Sequence, residues 1–62
     1  MGKELRKEAI LSLLQTEQSV SVQDLSARFD TSAVTIRKDL AELEQAHLLT
    51  RTHGGAILKK EH

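Results

Sequence analysis

Ser32-Ala33-Val34-Thr35-Ile36-Arg37-Lys38-Asp39-Leu40-Ala41-Glu42-Leu43-Glu44-Gln45-Ala46-His47-Leu48-Leu49-Thr50-Arg51-Thr52-His53-Gly54-Gly55 reads as one capped helix followed by a short basic hairpin. At 100° of rotation per residue from Ile36, Leu40 falls at about 40°, Leu43 at about 340° and Ala33 at about 60°, so these four make one buried stripe. The far side carries Val34, Lys38, Ala41 and Gln45, flanked by Thr35 and Arg37. Beyond Ala46 the period changes. Leu49, Arg51 and His53 alternate with Thr50 and Thr52, which predicts a strand. Gly54-Gly55 offers a positive-φ pair for a tight turn, and Ala56-Ile57-Leu58 returns.

Upstream, the segment from Lys3 to about Thr16 predicts a helix. It is free of Gly and Pro, with Leu5, Ala9 and Leu13 on one line and Ile10 and Leu14 widening the stripe. Ser19-Val20-Ser21-Val22 alternates, as a short strand or an extended linker does. Ser21 reads as an N-cap, with Asp24 a capping-box partner or an acid favoured by the helix dipole. A second helix over Val22–Phe29 buries Leu25 and Phe29; Asp30-Thr31 turns the chain and Ser32 caps the third helix. Two helices separated by a tight turn, the second longer, are a helix-turn-helix. The fold expected is therefore mostly α with a small β-hairpin. It is a winged helix of three helices and a carboxy-terminal wing, two-stranded or, with Val20–Val22, three-stranded. Lys59, Lys60, Glu61 and His62 read as a polar, frayed end.

Composition narrows the class. Sixty-two residues make one domain over 1–62, and a chain of this size buries only about 60% of the surface it exposes unfolded, so its core must be small and aliphatic. With no cysteine, disulfide frameworks and thiolate metal sites are excluded. No apolar run approaches the roughly 20 residues of a membrane span, and Arg6 stands where a Met1-Gly2 myristoylation signal wants Ser or Thr. The expectation is a cytoplasmic protein without a membrane partner. His47, His53 and His62 lie at no metal-ligand spacing, and no nucleophile–base–orienter set is legible. Neither an enzyme nor a metal or cofactor site is expected.

Net charge is zero, with nine cations and nine acids, whereas domains that bind nucleic acid are usually basic. The distribution is uneven. Residues 33–60 hold five cations (Arg37, Lys38, Arg51, Lys59, Lys60) against three acids (Asp39, Glu42, Glu44), and the remainder holds four against six.

The outer face of the third helix joins cations, a hydroxyl and small apolar groups, a chemistry that suits the floor of a DNA major groove. Arg37 and Lys38 are suited to phosphates or guanine edges; for Lys38 the bland alternative is an ion pair with Glu42 four residues on. Thr35 meets DNA or caps its own helix. Val34 meets a thymine methyl or stands exposed without a partner, and Ala41 permits close approach. Asp39, at the border of the stripe, reads as structural, orienting a cation. Arg51 and His53 share one side of the wing, facing DNA backbone or solvent, while Gly54 and Gly55 let the wing tip lie near phosphate. Ser21 and Ser32 cap helices whose amino ends also suit phosphate oxygens. Arg6 sits inside the apolar arc of the first helix, which is explained by a fraying end or by reach to a phosphate.

Thr35-Ile36-Arg37-Lys38-Asp39-Leu40, then Leu43-Glu44, then Arg51-Thr52-His53-Gly54-Gly55-Ala56, resembles the amino-terminal DNA-binding domain of the DeoR family of bacterial transcriptional regulators. Arg6, Ile10 and Leu14 and then Val22, Leu25 and Phe29 fall in the same pattern, so the resemblance covers Leu5 to Leu58. It implies a winged helix-turn-helix that binds double-stranded operator DNA, mostly as a repressor of sugar or nucleoside catabolism genes. It also implies a longer, homo-oligomeric parent whose carboxy-terminal domain, absent here, senses a phosphorylated sugar. The chain then reads as an excised module. One departure is His47, where the family generally has Gly to end the helix in a left-handed conformation. The competing expectation is a winged helix used for protein–protein interaction, favoured by zero net charge. An RNA-binding variant calls for exposed aromatics, and Phe29, the only aromatic, is placed in the core.

Overall fold

The computed structural model describes residues 2–59; Met1 and the end read as polar and frayed beyond Lys59 lie outside the described residues. Local chemistry starts both helices of the helix-turn-helix. The Ser21 hydroxyl accepts the Asp24 N–H at 3.0 Å and opens α2 (Val22–Phe29), and the Ser32 hydroxyl accepts the Thr35 N–H at 3.2 Å and opens α3 (Ala33–Gln45). Asp24 closes no capping box. Its carboxylate instead accepts from Arg28 Nε at 2.9 Å, one turn along α2. Before them runs α1 (Lys3–Glu17), followed by β1 (Ser19–Ser21); after them come β2 (Leu49–Thr52) and β3 (Gly55–Leu58).

All three helices end through non-glycine residues in the left-handed region: Gln18 at φ 69°, Asp30 at φ 50° and His47 at φ 63°. Each bend is closed by hydrogen bonds. After α3 the Leu48 N–H reaches the Leu43 carbonyl at 3.0 Å and the His47 N–H reaches that of Glu44 at 2.9 Å, the two bonds of a Schellman motif.

The strands form one antiparallel sheet in the order β1-β3-β2, so the last strand is the central one. Val20 and Arg51 both oppose Ala56 from either side. The third strand of the wing is thus real, at Ser19–Ser21 rather than Val20–Val22, because Val22 already begins α2. The turn is also displaced by one residue: His53-Gly54 makes it and Gly55 pairs within β3. Of the two glycines, Gly54 alone has positive φ, at 97°. Gly55 answers a different need, since a β-carbon there would lie 2.0 Å from the Val20 carbonyl oxygen.

Helices and sheet enclose a core of Ile10, Leu14, Val22, Leu25, Ile36, Leu40, Leu43, Leu49 and Ala56, with Phe29 and Ala33 packed partly buried at its edge. The α3 stripe is the expected one. In α1 the buried line is not: Ile10 and Leu14 carry it, while Leu5 is 61% exposed. Ile10 and Leu14 lie about 140° and 180° round from Leu5, and Arg6 at about 100° therefore belongs to the inward face. It points there to pair with Asp39, which accounts for an arginine inside the apolar arc and for a buried face centred on Ile10 and Leu14.

Candidate nucleic-acid interface

The polar groups sort into two populations. The first pairs internally. Arg6 donates to both carboxylate oxygens of Asp39, a side chain only 1% exposed. That hydrogen bond raises the Arg6 pKa above its ordinary value. Lys3 and Lys7 both donate to Glu42, at 2.7 and 3.1 Å. The same two bonds, Lys3 first, hold the Glu42 carboxyl below its ordinary range. Arg28 bonds Asp24 and lies 3.8 Å from Glu17; its bond to Asp24 raises its pKa. The second population, Arg37, Lys38 and Arg51 with Lys59 just after β3, has no carboxylate partner among the described residues and is exposed. Lys38 makes no pair with Glu42, whose oxygens belong to α1.

This sorting answers the zero net charge. Of the α3 acids, Asp39 is turned inward and Glu42 is spent on α1. Glu44 stays exposed and accepts a backbone amide of the wing, so the cations of the outward side of α3 and the wing keep their charge unpaired among the described residues. Val34 is 59% exposed, and Lys38 and Gln45 follow it along one exposed line with Ala41 half-buried between them. Arg37 stands at one side of that line, where it lines a cleft with Arg51, Thr52, His53, Gly54 and Gly55 and with Val22 at the base. Five of the residues singled out from sequence thus meet around one cleft between helix and wing. His53 reaches it from the turn and not from the strand alternation expected of it.

Three hydroxyls carry local duties. Ser32 donates to Thr35 Oγ1 at 3.0 Å besides accepting the Thr35 amide, so Thr35 takes part in the cap. The Thr35 hydroxyl proton still has no acceptor among the described residues. At the start of α2, the Val22 N–H donates to the Gly54 carbonyl at 2.8 Å and the Asp24 N–H to Ser21. Two of the amides that a phosphate would need there are already committed. Arg6, expected to reach a phosphate, has Asp39 as its partner instead.

Helix-turn-helix, paired third strand and a cation-lined cleft form one arrangement, and the sequence profile of the DeoR-like helix-turn-helix domain matches residues 6–62. The chain belongs to the DeoR-like helix-turn-helix family. Over 52 residues it is 46% identical to the transcriptional repressor AccR of Agrobacterium fabrum, covering 84% of this chain and 20% of that protein. Over 58 residues it is 43% identical to the lactose phosphotransferase system repressor of Lactococcus lactis, covering 94% and 23%. It is 44% identical over 52 residues to the transcriptional regulator GlpR of Haloferax volcanii, covering 84% and 20%. The chain spans about a fifth of the length of these curated relatives. No solved structure matches it.

Two residues behind this DeoR-like arrangement are legible in the sequence only in part. Asp39 reads there as orienting a cation, but its cation lies 33 residues upstream. Glu44, given no role from sequence, accepts the Arg51 amide at 2.9 Å and so joins α3 to the wing. Among the described residues no three His, Cys, Asp or Glu side chains gather as for a metal ion, and no helix is long and apolar enough to cross a membrane.

Proposed function

We propose that this domain reads double-stranded operator DNA by laying α3 in the major groove, as part of a longer, cytoplasmic, homo-oligomeric repressor of sugar or nucleoside catabolism genes. The observation that carries the reading is the segregation of charge: Arg37, Lys38 and Arg51 stand exposed on α3 and the wing with no carboxylate partner among the described residues, while Lys3, Arg6, Lys7 and Arg28 are tied to acids elsewhere. Arg37 and Lys38 meet guanine edges or phosphates, Val34 and Ala41 admit close approach to base edges, and Thr35 offers its free proton to a phosphate. Arg51, His53 and the Gly54-Gly55 tip lie against the backbone, with the Ser21 and Ser32 ends of the helices beside them. Phosphate contacts set register and base-edge contacts carry specificity. The relatives named above are repressors and a regulator, one of them of a lactose system, which supports a sugar-linked operator and an effector domain beyond this module.

The test is an NMR titration of the labelled domain with a short random-sequence duplex at two salt concentrations. Salt-sensitive shifts centred on Val34–Lys38 and Arg51–Gly55 are expected, since phosphate contacts release counterions. With a bound duplex in hand, Arg37→Ala is expected to weaken binding roughly tenfold, the scale of one good base or phosphate contact. Lys7→Ala, whose ammonium faces Glu42, is expected to leave affinity nearly unchanged. Equal losses would remove α3 from the groove, and absence of shifts even at low salt would turn the exposed face toward a protein partner.

A further inference from the structure

We propose that Glu44 is a positioning residue for the wing: its carboxylate holds the edge strand against the recognition helix and thereby sets the width of the cleft between Arg37 and Arg51. The inference rests on the DNA-binding reading above. Its basis is geometric. In the order β1-β3-β2, β2 is an edge strand, and Arg51 pairs across to Ala56 on its inner side. An edge strand leaves alternate N–H groups facing away from the sheet. The outward Arg51 N–H is taken by Glu44 at 2.9 Å. Glu44 stands seven residues after Arg37, which brings it to within about 20° of the same side of α3. One side of the helix therefore presents the cation to the cleft and, two turns later, anchors the strand that forms the opposite wall.

The placement is notable for its sign. Glu44 is an exposed acid beside a surface proposed to meet phosphates, on the same side of α3 as Arg37 and bonded to the backbone of Arg51. Were its charge all that mattered, Glu44 would repel DNA, and any neutral substitution would tighten binding. A tether makes the opposite demand, because an acceptor must remain for the Arg51 amide. The two accounts part at alanine and agree at glutamine, which keeps an acceptor oxygen and drops the charge.

The experiment compares the 62-residue chain with its Glu44→Ala and Glu44→Gln variants, measuring affinity for one duplex at two salt concentrations, hydrogen exchange at the Arg51 amide, and thermal midpoint. Glu44→Ala is expected to weaken binding about fivefold, to speed exchange at Arg51, and to lower the midpoint by only a few degrees, as one lost hydrogen bond does in a domain that stays folded. Glu44→Gln is expected to bind as well as the original or better, with Arg51 still protected. Equal tightening in both variants, or Arg51 exchange indifferent to alanine, overturns the tether. A duplex that the unaltered chain fails to bind is a separate result: it removes the DNA reading, and the positioning role with it.

Discussion

His47 is the residue at which this chain departs most plainly from the pattern it resembles, and it is held at φ 63° all the same. A side chain with a β-carbon in that region costs about 1–2 kcal/mol, with His among the more tolerant. The cost is met by the two backbone bonds that close the bend after α3. Replacing it (His47→Gly) is expected to stabilise the domain by about 0.5–1 kcal/mol once the greater freedom of glycine in the unfolded chain is subtracted. Urea midpoints of the two chains measure it; a lower midpoint for the variant would mean that the imidazole itself holds something. The neighbouring glycines show where sequence reading stops. A Gly-Gly pair announces a turn, and a turn is there. That Gly54 supplies the positive φ and Gly55 the space under Val20 is invisible locally, because the strand that crowds Gly55 lies 35 residues earlier.

At the scale of elements, α2 and α3 are legible nearly to the residue, since capping serines and a 3.6-residue stripe are local signals. The setting of α1 is less so. Hydropathy centres its buried face on Leu5, Ala9 and Leu13, but the surface it meets on α3 bears Asp39 and Glu42 as well as leucines, and those acids bond Lys3 and Lys7 at the rim of the contact and Arg6 within it. Arg6 and Asp39 form the largely buried member of this contact, at 13% and 1% exposure. Removing one charge from such a pair strands the other, so Asp39→Asn is expected to cost on the order of 3 kcal/mol, while a double replacement by apolar residues of similar volume (Arg6→Met with Asp39→Leu) recovers most of it. A double-mutant cycle in urea reads the coupling directly. Additive losses would show that the two side chains are neighbours without being partners.

For the whole molecule, a balance of nine cations and nine acids says little until the pairs are known, and those joining α1 to α3 span separations of 33 to 39 residues, beyond any local window of sequence. The α1–α3 contact also makes stability depend on pH. Glu42 titrates below its ordinary range in the folded chain because Lys3 and then Lys7 bond its carboxylate. Its contribution is therefore present above the unfolded value of about 4.3 and is lost as pH falls through the lower folded value. Thermal midpoints of the original chain and of Glu42→Gln are expected to differ near neutrality and to converge in acid; a gap that persists to about pH 3 would place the acid sensitivity elsewhere. The strand order carries a consequence of its own for synthesis on the ribosome. β1 and β2 do not touch, and each finds its partner only in β3. As the chain emerges from its amino end, the helices can assemble while both outer strands wait without a neighbour, and the arrival of Gly55–Leu58 completes the sheet on both sides at once.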